Sequence, residues 1–141
     1  MIRKVKSQEY PVLVEIWESA VIHTHDFLAR EDFEYFKKTI PSYFEFVELY
    51  VHFNQEGRMT GFIGVADGNL EMLFINNDFR GQGIGKLLLN YAKDRLHITK
   101  VDVNEQNQQA VGFYLHMGFK SVNRSETDGQ GKPYPILHLS L

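Results

Sequence analysis

The chain of 141 residues has no cysteine. That excludes disulfides, cysteine-ligated metal centres and thiol nucleophiles, and it fits a reducing cytoplasm without fixing the compartment. No stretch approaches the ~20 apolar residues of a membrane span. No apolar run follows Met1-Ile2-Arg3-Lys4-Val5-Lys6, so no signal peptide is expected. There is no excess of positive charge. The 15 basic and 18 acidic side chains leave a net charge of -3, which provides no cationic field for nucleic acid. No linker, repeat or low-complexity block interrupts residues 1–141, so one domain is expected.

What is present suits a folded core: 43% hydrophobic, 13% aromatic and 23% charged residues. Met1 to Lys6 reads as an edge strand. Leu13, Ile16, Trp17 and Ala20 recur at helical spacing within Tyr10 to His23, with Pro11 suited to a first turn. Arg30 to Thr39 reads as a second helix ended by Pro41, with Phe33, Phe36 and Lys37 on one side. Phe46 to Phe53, Met59 to Ala66 and Leu70 to Ile75 read as a meander. Gln55-Glu56-Gly57-Arg58 and Asp67-Gly68-Asn69 supply its turns. Helices are expected from Ile84 to about Leu96 and from Asn107 to Met117, the latter stopped by Gly118. Thr99 to Asn104, Phe119 to Arg124 and Pro135 to Leu141 complete the sheet. The order β-α-α-β-β-β-α-β-α-β-β is a mixed α/β layer fold.

Arg80-Gly81-Gln82-Gly83-Ile84-Gly85-Lys86 lies at a junction of strand and helix. Glycine lets a ligand approach the backbone, and the free N–H groups of a first helical turn converge with the helix dipole behind them, which suits a pyrophosphate. Arg80 at the mouth and Lys86 in the turn add positive charge. A P-loop needs four residues between its glycines and a Ser or Thr after the lysine; here three residues separate Gly81 from Gly85, and Leu87 follows Lys86. The dinucleotide fingerprint fails in both frames, which would put Lys86 or Leu88 in its last glycine slot. The plain alternative is a turn that only links strand to helix.

A second segment follows. Asn107 stands at a helix start, where its side chain can cap the helix or face a ligand. Tyr114 lies two turns on, on the same face, where a phenol could protonate a leaving group. The commoner fate of such a tyrosine is a core position with a satisfied hydroxyl.

Together these segments resemble the two acetyl-CoA motifs of the GNAT superfamily. Arg80-x-x-Gly83-x-Gly85 is similar to its cofactor loop. Asn107-x-x-Ala110-x-x-x-Tyr114-x-x-x-Gly118-Phe119 is similar to its helix with a catalytic tyrosine. The specific match covers about Leu70 to Phe119. Thr24-His25-Asp26-Phe27-Leu28 and Gly131-Lys132-Pro133-Tyr134-Pro135 also resemble its small bacterial YjaB-like branch.

The resemblance implies a mostly antiparallel central sheet flanked by helices, and a cytoplasmic N-acetyltransferase that uses acetyl-CoA and no metal. The pantetheine would pair with Leu73, Phe74 and Ile75 in a V between the strands ending at Ile75 and Asn104. The pyrophosphate would rest on Gly81, Gln82, Gly83, Ile84, Gly85 and Lys86, with Arg80 and Asn107 alongside. A backbone N–H near Leu73 or Phe74 would hold the oxyanion, and Tyr114 would be the general acid. A primary amine of a small molecule, peptide or protein would attack the thioester directly, which agrees with the absent cysteine.

Two carboxylates are candidates for the base. Glu71 is expected on the strand face of Leu73 and Ile75, and Asp102 on that of Asn104. Either can instead be a solvent-facing strand carboxylate, and the resemblance does not choose; Glu71 is preferred. His23 and His25 lack a third ligand nearby, so a polar helix end is favoured over zinc. His25, Phe27 and Tyr134 are expected at the acceptor. His116 is expected on the surface, and Phe36, Tyr43, Phe44 and Phe46 mainly in packing. Two other functions compete: a non-catalytic acyl-CoA-binding sensor, which would need neither Tyr114 nor a carboxylate, and a nucleotide enzyme, which the loop spacing disfavours.

Overall fold

The computed structural model describes residues 1–141. The elements run β1 (Ile2–Lys4), α1 (Tyr10–Thr24), α2 (Arg30–Tyr43), β2 (Glu48–Phe53), β3 (Met59–Ala66), β4 (Asn69–Ile75), α3 (Ile84–Arg95), β5 (Lys100–Asn104), α4 (Gln108–His116), β6 (Lys120–Ser125) and β7 (Ile136–Ser140). The order is the one expected. Seven strands form one sheet in the order β1-β2-β3-β4-β5-β7-β6. Every neighbouring pair is antiparallel except β4 with β5.

Alternation along the strands divides the core into two layers. Phe62 faces α1 and α2, where it joins Leu13, Ile16, Trp17, Val21 and Phe44. Ile63 and Val65 face the other way, towards Leu88, Leu89 and Ala92 of α3 and Tyr114 of α4. Asp67 and Gly68 both have positive φ, 51° and 75°. That is the two-residue hairpin geometry that an Asp-Gly pair favours.

Two segments depart from the sequence reading. The second helix does not end at Pro41 but continues through it to Tyr43. Proline removes only one helical hydrogen bond here, near the end, and burial of Ile40 and Phe44 against α1 outweighs it. The next strand starts at Glu48, because Phe44–Phe46 forms a 3-10 turn that leaves Phe46 exposed.

Two features of the sheet position the site. The parallel ladder between β4 and β5 has two residue pairs, Asn69 with Lys100 and Leu70 with Val101. Beyond them the strands diverge, and one edge of β4 is left without a strand partner. The β3–β4 register also slips: Val65 pairs with Leu70, but Gly64 pairs with Met72. Glu71 is the extra residue of a β-bulge.

Candidate active site

The cleft between the diverging strands has a volume of about 380 Å³. Leu73, Phe74 and Ile75 form one wall; Arg80, Gly81, Gly83, Ile84, Gly85 and Lys86 form its floor; Asn107, Ala110 and Tyr114 close the far side. Gly83 caps α3 with φ 79°, a left-handed conformation that turns the chain directly into the helix. The backbone N–H groups from Gly81 to Lys86 have no acceptor within the protein. Nothing lies within 4 Å of where a Cβ on Gly81 or Gly83 would stand, so the loop has room for a phosphate group. Donors, helix N-terminus, open space and the charges of Arg80 and Lys86 fit a pyrophosphate. Arg80 also donates to the side-chain oxygen of Gln109, joining the loop to α4. Ser19 accepts from the N–H of Asn77 at 3.0 Å and ties the start of the loop to α1.

Asn107 caps α4, its Oδ1 accepting from the N–H of Ala110 at 3.3 Å. Tyr114 is 5% exposed, and burial raises its hydroxyl pKa well above the ordinary phenol value. Yet that hydroxyl has no protein partner and is not sealed from the cleft it lines. A protonated phenol at the cleft wall can donate a hydrogen bond to whatever occupies the cleft.

A second cavity, of about 250 Å³, lies on the α1 and α2 face of β4. Its apolar walls include Trp17, Leu28 and Phe36, and its polar groups include Glu71, Asn104, Asp128 and Tyr134. Glu71 is therefore not on the face of Leu73 and Ile75, as plain alternation predicts. The bulge reverses its direction, so Leu70, Leu73 and Ile75 pack towards α3 while Glu71 joins Met72 and Phe74 on the other side. Glu71 is nonetheless exposed to solvent. Burial raises its pKa, the charges of Asp102 and Asp67 add to the shift, and the nearby Asn69 amide opposes it.

The other expected site residues scatter more. Asp102 lines neither cavity; it bonds to His138 at 2.6 Å and accepts from Asn69 at 3.1 Å. Asn104 lines the second cavity rather than the first, its Oδ1 accepting from the N–H of Gln106 at 2.9 Å. Gln82 turns away from the cleft, towards a surface hollow shared with Leu87 and Arg3. Phe27 lines neither cavity but packs on His25, with ring centroids 5.1 Å apart. Tyr134 lines the second cavity, and its hydroxyl donates to Asp32. His116 is exposed. His23 bonds to the carbonyl of Ser19 at 2.8 Å, and no third metal-ligating side chain joins it and His25. Sequence reasoning did not single out Gln109 or Thr24 for the cleft, nor Met72 for the second cavity. For Gln109 a signal was present, since it falls in the first turn of the helix that Asn107 caps.

The sequence and the fold resemble those of known proteins. The acetyltransferase (GNAT) domain family matches residues 25–134. Peptidyl-lysine N-acetyltransferase YjaB of Escherichia coli strain K12 is 40% identical over 139 residues, covering 99% of this chain and 95% of that one. The solution structure of apo-form YjaB from Escherichia coli superposes with a TM-score of 0.92 at 39% identity, covering 99% of this chain and 95% of that one. The PaiA N-acetyltransferase of Thermoplasma acidophilum, solved in complex with coenzyme A, shares the fold with a TM-score of 0.73 at 21% identity, covering 100% of this chain and 98% of that one. The chain belongs to the GNAT family and is an acetyl-CoA-dependent N-acetyltransferase.

Proposed function

We propose that the chain acetylates the side-chain amine of a lysine in a peptide or protein. The observation that carries this reading is the second cavity: a slot with apolar walls and the carboxylate of Glu71 in its lining. A lysine side chain has the matching shape, a flexible apolar stem with a cationic tip. The names of the YjaB relatives point to the same acceptor.

Acetyl-CoA supplies the acetyl group as an activated thioester. The N–H groups of Gly81 to Lys86, with the charges of Arg80 and Lys86, hold its pyrophosphate. The unpaired edge of β4 at Leu73 to Ile75 hydrogen-bonds the pantetheine as a neighbouring strand would. A backbone N–H at Leu73 or Phe74 polarises the thioester carbonyl. Glu71, directly or through a water, takes the proton of the lysine ammonium, and its raised pKa makes it a better base than an ordinary carboxylate. The hydroxyl of Tyr114 donates a proton to the sulfur as the C–S bond breaks, and the second proton that the nitrogen sheds as the amide forms restores the phenol through solvent. The amine attacks without an acyl-enzyme, and residues 1–141 act as one domain. No feature of the site favours a non-catalytic acyl-CoA-binding module.

The test is to incubate the protein and acetyl-CoA with a lysine peptide, a peptide whose only amine is its N-terminus, and a polyamine, while following released thiol. Mass spectrometry then locates the acetyl group. Turnover on the lysine Nζ supports the reading; turnover confined to the N-terminal amine or the polyamine overturns it.

A further inference from the structure

His25 and Phe74 are the two residues that line both the glycine-loop cleft and the slot beside Glu71. Phe74 is apolar, so His25 is the one polar side chain common to the two linings. Its surroundings fix its chemistry. Thr24, in the last turn of α1, donates its only hydroxyl proton to the carbonyl of Ala20 at 2.8 Å. The same oxygen lies 2.6 Å from Nδ1 of His25. With the ring proton on Nδ1, Thr24 accepts there and both contacts are satisfied; with Nδ1 bare, the single hydroxyl proton could serve only one of them. Nε2 then bears a lone pair, and it has no partner within the protein and is not sealed from solvent. The backbone N–H of His25 is anchored to the carbonyl of Val21 at 2.8 Å. The ring of Phe27 packs on the imidazole.

We infer that Thr24 locks His25 as the neutral Nδ1–H tautomer, and that its Nε2 lone pair accepts a hydrogen bond from the attacking amine and aims it at the thioester. The inference rests on the reading that the amine arrives through the slot lined by Trp17 and Glu71. Burial pushes the imidazole pKa down to about 4, against the charge of Asp26, so the ring stays neutral and does not repel an incoming ammonium. Glu71, Asp128 and Tyr134 share the slot with it, and Arg80 and Lys86 line the cleft on its other side. A ring with so low a pKa cannot keep the amine's proton. It orients the nucleophile, and Glu71 removes the proton.

Three measurements on the intact protein test this. Long-range 1H–15N NMR should show His25 protonated at Nδ1 and bare at Nε2 at neutral pH; an Nε2–H tautomer or an imidazolium there overturns the inference. Thr24→Val keeps the shape but removes the acceptor that locks the ring. It should lower kcat/KM for a lysine peptide about tenfold, the scale of one misdirected hydrogen bond, with Thr24→Ser restoring it and the Kd for acetyl-CoA little changed. Wild-type peptide kinetics in Thr24→Val overturn the inference. Trp17, the only tryptophan, lines the slot and reports its occupancy by fluorescence. A signal that moves with the peptide while Thr24→Val behaves as wild type removes the role of His25 alone. A signal that the peptide leaves unmoved removes the acceptor route, and the role of His25 with it.

Discussion

Nδ1 of His138 lies 2.6 Å from the carboxylate of Asp102 on the adjoining strand, and Nε2 of the same ring lies 2.7 Å from the hydroxyl of Ser125. Asp102 is thereby engaged on one oxygen by His138 and on the other by Asn69. Of the two candidate carboxylates, Glu71 is the one that lines the second cavity. Glu71→Gln should lower kcat/KM by roughly 10² or more, the scale of a positioned base, and Asp102→Asn by much less. The sign for stability is opposite. Because the folded-state pKa of Glu71 is raised, its contribution is full below the unfolded value and is lost as pH rises through the folded one. Glu71→Gln should therefore raise Tm at neutral pH while it slows turnover; calorimetry beside steady-state kinetics checks both.

Tyr114→Phe removes a hydroxyl that has no partner in the protein, so stability should change little. If the phenol protonates the departing sulfur, the single-turnover rate should fall by roughly 10²–10⁴-fold, while the Kd for acetyl-CoA hardly moves. Rapid-mix thiol release measures the step directly. An unchanged rate would make Tyr114 a packing residue.

Gly83→Asp places a carboxylate where the phosphates would rest and should abolish acetyl-CoA binding. The substitution also strains a left-handed residue. Gly57→Asp is the control, because Gly57 has the same φ of 79° and lies in the β2–β3 turn away from the cleft. Isothermal titration should show no binding in the first variant and near-normal affinity in the second. Equal affinities would show that the loop does not hold the pyrophosphate.

Glu9 receives two hydrogen bonds from the guanidinium of Arg3, at 2.9 and 2.6 Å. The hydrogen-bonded guanidinium holds the carboxyl pKa down to about 2. A depressed carboxyl stabilises the fold above its unfolded pKa, near 4.3, and that share is lost as pH falls towards about 2. Thermal melts of Glu9→Gln should lie below wild type at neutral pH and converge with it across that window. A constant gap down to pH 2 would mean that the pair contributes packing and not charge.

The parts that were legible in the sequence are those with short-range grammar. Gly81, Gly83 and Gly85 before an amphipathic helix, and Asn107 two turns from Tyr114, are spacings within one element, and local backbone geometry converts them into position. The departures have tertiary causes. A bulge depends on the partner strand, so nothing near Glu71 announces that it faces Met72 and Phe74 rather than Leu73. The chain from Ser125 through His138 to Asp102 joins residues 13 and 36 positions apart, a separation without a local signature. Pro41 reads as a stop until the contacts of Ile40 and Phe44 with α1 are known.

The ladder of two residue pairs between β4 and β5 also gives the molecule a grain. Four strands lie on one side of that seam and three on the other, like a shutter with one slat drawn short. Fewer residue pairs cross that seam than any other in the sheet. A ligand that laid amide groups along the bare edge of β4 would act as the missing slat and stiffen the frame.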